Sequence, residues 1–163
     1  MAAARFPTAM HFMSGEQTFV DTNVLVYAYD ADGGDKHAMA RERLEELWEN
    51  ESGLISTQVL QEFYVTVTRK LSRPMSRRSA REVIATYASW SVRRPEVDDL
   101  VEASELEERH HLSFWDALIV VAARRSGAEV LLTEDLQEGR RFDGLVVASP
   151  FAAGPQEHSA RLE

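Results

Sequence analysis

The chain has 163 residues, 44% of them apolar, which is enough for one compact domain around one ordinary core. A formal net charge of −9 argues against broad, charge-driven nucleic-acid binding, because that mode releases counterions through a surplus of Lys and Arg. The absence of cysteine excludes a disulfide framework and a thiolate zinc site and is compatible with a reducing cytoplasm, and no run approaches the ~20 apolar residues of a membrane span.

Residues 1–17 mix one Arg, a Pro and scattered apolar residues, too broken for the apolar stretch of a secretory signal, and read as an N-terminal extension expected to be disordered. Thr18–Val20 is the first predicted strand. His37–Glu49 follows as a helix with Ala40, Leu44, Leu47 and Trp48 on one stripe and Asp35 as its expected cap. A second strand, Leu54–Ser56, leads into a helix over Thr57–Leu71 that carries Leu60, Phe63, Tyr64 and Val67. Ser79–Ser89 reads as helix and Ser91–Arg93 as strand. In the helix Glu96–His110, residues Val97, Leu100, Val101 and Leu106 are expected to face inward, opposite a Glu-rich face. Ser113–Ser126 is the most apolar helix, and Gly127 suits a left-handed cap at its end. Val130–Thr133 and Leu145–Ala148 complete the strands, and 150–163 is a flexible tail. Strands alternating with helices over 18–149 predict one α/β domain with a parallel sheet, whose ligands bind at the carboxyl ends of the strands.

Four acids stand at strand ends or helix starts. They are Asp21 in Asp21-Thr22-Asn23, Glu62 in Ser56-Thr57-Gln58-Val59-Leu60-Gln61-Glu62, Asp116 in Ser113-Phe114-Trp115-Asp116, and Asp135 in Leu132-Thr133-Glu134-Asp135. Two carboxylates about 4 Å apart repel by roughly 4 kcal/mol at an effective dielectric of 20, a large share of a stability of about 5–15 kcal/mol. Relief comes from protons, from Arg or Lys, or from a metal, and all-oxygen donors suit Mg²⁺ or Mn²⁺. The two lysines, Lys36 and Lys70, do not lie beside an acidic motif, while arginine partners stay open. Competing roles exist for the same residues. Asp21-Thr22-Asn23 has the chemistry of a helix cap, Glu62 that of an exposed helical residue, and Ser113 with Asp116 that of a capping box. Phe114 and Trp115 read as core rather than as base-stacking groups. The paired arginines, such as Arg93-Arg94 and Arg124-Arg125, read as solvated helix ends offsetting nearby Glu, and no His is assigned a role.

The order Asp21-Thr22-Asn23-Val24-Leu25-Val26-Tyr27, Ser56-Thr57-Gln58-Val59-Leu60-Gln61-Glu62-Phe63, Phe114-Trp115-Asp116-Ala117-Leu118-Ile119 and Leu132-Thr133-Glu134-Asp135-Leu136 resembles a PIN-domain ribonuclease of the VapC toxin type. The likeness spans about residues 18–149, and only the stretch before Thr18 departs from it. It implies a three-layer α/β/α fold with a five-stranded parallel sheet of order 3-2-1-4-5. It also implies an Mg²⁺- or Mn²⁺-dependent endoribonuclease, homodimeric and held inactive by a cognate VapB-type antitoxin. In that reading Asp21 and Asp116 are the chief metal holders, with Glu62 and Asp135 completing the site. Metal-activated water hydrolyses RNA to a 5′-phosphate and a 3′-hydroxyl. The resemblance selects Asp135 over Glu134, which is then expected to be solvated. Thr22, Asn23 and Thr133 are candidates for orienting the carboxylates. Leu47, Trp48, Tyr64 and Val65 offer either a groove for an antitoxin helix or ordinary core packing. The rivals are a PIN-like RNA- or protein-binding domain without a toxin role and, further off, a phosphatase-like α/β domain.

Overall fold

The structure, a computed structural model, describes residues 15–152; the remaining parts of the expected extension and tail, 1–14 and 153–163, lie outside the described residues. Strand β1 (Thr18–Val20) is wholly buried. Helix α1 (Thr22–Tyr29) starts immediately, because Asp21 accepts the Thr22 N–H and caps it. The sequence reading leaves α1 out, since eight residues turning only Val24, Leu25 and Ala28 inward carry too little periodicity to separate from a strand.

Helix α2 (Asp35–Glu49) has Gly34 rather than Asp35 at its cap position, and Asp35 sits in the first turn, where a negative charge suits the helix dipole. β2 (Gly53–Ser56) runs straight into α3 (Thr57–Arg69), capped by Ser56 Oγ. Next come α4 (Arg77–Tyr87), capped by Ser76, and β3 (Ser91–Arg93). Trp48, Tyr87 and Trp90 pack together with ring centroids 4.9–5.3 Å apart. Gly53 lies against this cluster so closely that a Cβ there would collide with the Trp90 ring.

Helices α5 (Val97–His110) and α6 (Phe114–Arg125) form an antiparallel pair. The predicted inner face of α5 holds at Leu106 and is corrected elsewhere: Val97, Leu100 and Val101 are 74%, 42% and 56% exposed, and Asp99 and Ala103 are buried instead. The cause is charge. Asp99 is held by Arg93 and Arg125 at 3.0 and 2.8 Å, and that double pairing turns its face of the helix inward. Trp115, expected in the core, is 63% exposed, while Phe114 is partly buried. At the end of α6, Gly127 (φ +79°) adopts the left-handed conformation while its N–H and that of Ala128 return to Arg124 and Ala123 O, as expected for a glycine after a helix.

The chain closes with β4 (Val130–Leu132), β5 (Arg141–Phe142) and β6 (Leu145–Ala148). The sheet order is β3-β2-β1-β4-β6-β5, parallel throughout except for the β5–β6 pair. The expected order of five strands holds, and β5 is an added antiparallel edge. Asp143 and Gly144, at φ 45° and 82°, make the two-residue turn that joins β5 to β6. The Asp-Gly pair between apolar residues is the local sequence signal for this hairpin. With helices covering the mostly parallel sheet, the architecture is the three-layer α/β fold anticipated. Val20 pairs with Leu132, and the Asp21 N–H donates to Leu132 O at 3.0 Å, so Asp21 and Thr133 leave the sheet side by side.

Candidate active site

Asp21 is fixed by the strand behind it and the helix ahead of it. Phe19 and Val20 are fully buried, and Asp21 as a residue is only 6% exposed. Its Oδ1 accepts from Thr22 N at 2.7 Å, and its Oδ2 accepts from Thr133 Oγ1 at 2.8 Å and Asn23 Nδ2 at 3.2 Å. Capping and site-building are therefore one arrangement here and do not compete. Asn23 is the hub. Its Nδ2 also lies 2.9 Å from Asp135 Oδ2 and 3.0 Å from Thr133 Oγ1, and its Oδ1 accepts the Glu134 N–H at 3.3 Å.

Asp135 and Glu134 point to different partners. Asp135 is exposed and joins the Asn23 hub, whereas Glu134 is paired with Lys36 Nζ at 2.6 Å. Two expectations are corrected by this contact: Glu134 is not simply solvated, and Lys36 does stand beside an acidic motif. The ammonium also lies 5.0 Å from the Tyr27 ring and 5.2 Å from that of Phe151, two rings in edge contact. A pairing across 98 residues leaves no local trace in the sequence.

Glu62, on α3, accepts from Thr22 Oγ1 at 2.7 Å through Oε2 and from Gln58 Nε2 at 2.9 Å through Oε1. Gln58 was missed in the sequence, although a Gln four residues before a helical Glu is a known pairing distance. Asp116 opens α6 with its N–H donating to Ser113 Oγ at 3.1 Å. Its carboxylate is half-buried and has no hydrogen-bond or ion-pair partner among the described residues, so the reciprocal half of the capping box is not made. The structure thus links Asp21, Glu62 and Asp135 through Thr22, Asn23 and Thr133, and no hydrogen bond joins Asp116 to them. Among the described residues, no three acidic or histidine side chains close around a common point as a ready-made metal cage.

The electrostatics of this edge are unbalanced. Burial pushes the Asp21 carboxyl up to about 7, the Thr133 and Thr22 hydrogen bonds oppose the shift, and the charges of Asp135 and Glu62 add to it. None of the four acids forms a salt bridge among the described residues. Elsewhere arginines do neutralise acids. Arg124 and Arg125 bind Glu102, Arg124 also reaches Asp143, and Arg93 and Arg125 share Asp99. Arg124 and Arg125 offset nearby acids as expected, but Arg93 stands on β3 and, like Arg124, is largely covered rather than solvated. Of the residues considered for an antitoxin groove, Leu47 is buried and Trp48 packs on Tyr87 and Trp90, while Tyr64 and Val65 are half-buried.

The sequence profile of the PIN domain matches residues 18–143, and the chain belongs to that family. No curated protein is similar enough in sequence to count as a match. Solved structures show the same fold. VapC20 of Mycobacterium tuberculosis, described as a toxin that cleaves the sarcin–ricin loop, is 24% identical with a TM-score of 0.55, over 70% of this chain and 86% of its own. A toxin–antitoxin complex from Klebsiella pneumoniae is 20% identical with a TM-score of 0.60, over 82% and 98%. VapBC2 of Rickettsia felis, bound to a DNA fragment from its promoter, is 22% identical with a TM-score of 0.56, over 81% and 97%. No helix among the described residues is long and apolar enough to cross a membrane.

Proposed function

We propose that this PIN-domain protein is an Mg²⁺- or Mn²⁺-dependent endoribonuclease that acts as the toxin of a toxin–antitoxin pair. The observation that carries the reading is Asp21: a buried carboxylate, raised to about 7, joined to Asp135 and Glu62 through neutral hydroxyl and amide donors. A divalent cation would balance the charge of this edge. The donor set fits one in chemistry, because carboxylate oxygens are hard ligands and the desolvated charge of Asp21 is relieved by a bound cation.

Asp21, Asp135, Glu62 and Asp116 would hold the ion, directly or through water. When bound, Mg²⁺ or Mn²⁺ supplies an activated water and offsets charge on the scissile phosphate. The protein's own part is orientation. Thr133 and Asn23 fix Asp21, Asn23 fixes Asp135, and Thr22 fixes Glu62. The reading needs no covalent nucleophile: water would be the attacking group, and the products would carry a 5′-phosphate and a 3′-hydroxyl.

The partners in this reading are an RNA substrate, a cognate VapB-type antitoxin and a second copy of the chain, all in the cytoplasm. The toxin role is supported by the likeness to the VapC and VapBC structures; with a net charge of −9, contacts to RNA would be local rather than broad. The test is a gel assay on structured RNA with purified protein. Cleavage that needs Mn²⁺ or Mg²⁺, stops with chelator and disappears in Asp21→Ala and Asp116→Ala is the expected result. Activity indifferent to chelator or to both substitutions would sink the scheme. Calorimetry without any Mn²⁺ binding at millimolar concentration would favour a binding domain with no nuclease role.

A further inference from the structure

Gln58 lies in the first turn of α3, 7% exposed and one helical turn before Glu62. Its Nε2 donates to Glu62 Oε1 at 2.9 Å, while Thr22 Oγ1, from α1, donates to Glu62 Oε2 at 2.7 Å. The two oxygens of one carboxylate are therefore gripped from two different helices. An ionised carboxylate only accepts, so Gln58 has to turn its NH₂ toward Glu62. The consequence is visible at the other end of the amide: Gln58 Oε1 is buried and has no hydrogen-bond partner among the described residues. Buried acceptors without partners are rare and disfavoured. A Leu or Met at position 58 has nearly the same length and would leave no orphaned oxygen. The amide is explained by the carboxylate it holds.

We propose that Gln58 is a positioning residue which, together with Thr22, fixes the direction of the Glu62 carboxylate on the side of Asp21. It touches neither substrate nor ion in this account and acts only through Glu62. Glutamate has three rotatable side-chain torsions, and Thr22 alone holds one oxygen while leaving the other free to swing. With the amide in place, the Glu62 charge stays where Asp21 feels it. The inference rests on the metal-dependent reading above and names a residue that this reading did not include.

The test measures Mn²⁺ binding by electron paramagnetic resonance of the free ion, on the full chain and without RNA. Gln58→Leu and Gln58→Met are expected to keep the wild-type melting temperature while the Mn²⁺ dissociation constant rises about tenfold, the range found when groups behind a metal ligand are removed. In a Glu62→Ala background the same substitutions are expected to add nothing. RNA cleavage should lose kcat with KM unchanged. Unchanged Mn²⁺ affinity in both variants, or a further loss on top of Glu62→Ala, overturns this inference alone. Loss of the folded state in both variants also overturns it, by making Gln58 structural. A wild-type protein that binds no Mn²⁺ overturns the metal reading and this inference with it.

Discussion

Two groups of acids in this molecule are handled in opposite ways. On the α5–α6 flank, Asp99, Glu102 and Asp143 are each met by arginine, and Asp99 is almost fully buried between Arg93 and Arg125. At the carboxyl edge of β1 and β4, Asp21, Asp135 and Glu62 are met only by Thr22, Asn23, Thr133 and Gln58. Neutral donors orient a carboxylate but leave its charge in place, whereas guanidinium groups remove it from play. The first arrangement builds a structure. The second leaves negative charge unneutralised, as the proposed cation site requires.

The largest expected difference between the two groups is in catalysis. Asp21→Ala should lower RNA cleavage by at least about a hundredfold, since even groups behind a metal ligand are worth ten- to a hundredfold. Asp99→Asn should leave cleavage within a few-fold of wild type, and a comparable loss there would erase the contrast.

Stability should rank the groups the other way. Asp99→Ala removes the acceptor that Arg93 and Arg125 share; Arg125 keeps Glu102 and both arginines are partly exposed, so the loss should be about 1.5–3 kcal/mol in urea unfolding. Asp21→Asn should do the reverse in the metal-free protein. The Asp21 carboxyl titrates near 3.8 when unfolded and near 7 when folded. Its contribution to stability is therefore fully present below the unfolded value and is lost as pH rises through about 7, where the folded state must carry a buried charge. Asparagine carries none. At about pH 8 with chelator the variant should be more stable by roughly 2–4 kcal/mol, given about 1.4 kcal/mol per pKa unit. The gain should vanish as pH falls toward 4, and a gain that grows on acidification would refute the assignment.

The smallest effect belongs to the pair that bridges the two behaviours, Lys36 with Glu134. It is half-exposed, and such pairs contribute little to stability. Lys36→Met should move the unfolding midpoint much less than Asp99→Ala does. A shift of equal size would mean that the Tyr27 and Phe151 rings around Lys36 tie the chain down more firmly than the ion pair itself.

Much of the fold could be read from local pattern. The five predicted strands, the cap at Ser113 and the glycine stop at Gly127 all lie where alternation and cap chemistry put them. The hairpin strand β5 escaped notice because two residues carry no periodicity, although Asp143-Gly144 signalled it. The inner face of α5 was misjudged for a different reason. Apolar spacing selected Val97, Leu100 and Val101, but two arginines from β3 and α6 compete for Asp99, and burying that ion cluster sets the rotation of the helix. Periodicity weighs only hydrophobicity and cannot see partners arriving from other elements.

The acids of the candidate site were visible as residues, each at a strand end or helix start, and so were Thr22, Asn23 and Thr133 beside them. Their chemistry was written in the chain: carboxylate oxygens, no cysteine, and few lysines, with arginine left open as a partner. Which of them meet was settled by folding alone. The parallel pairing of β1 with β4 sets Asp21 beside Thr133, and Asn23 spans from Asp21 to Asp135, 112 residues away. Residue type determines what a side chain can bind and with what charge. Distance, burial and the choice between arginine and amide as neighbour depend on where the rest of the chain arrives.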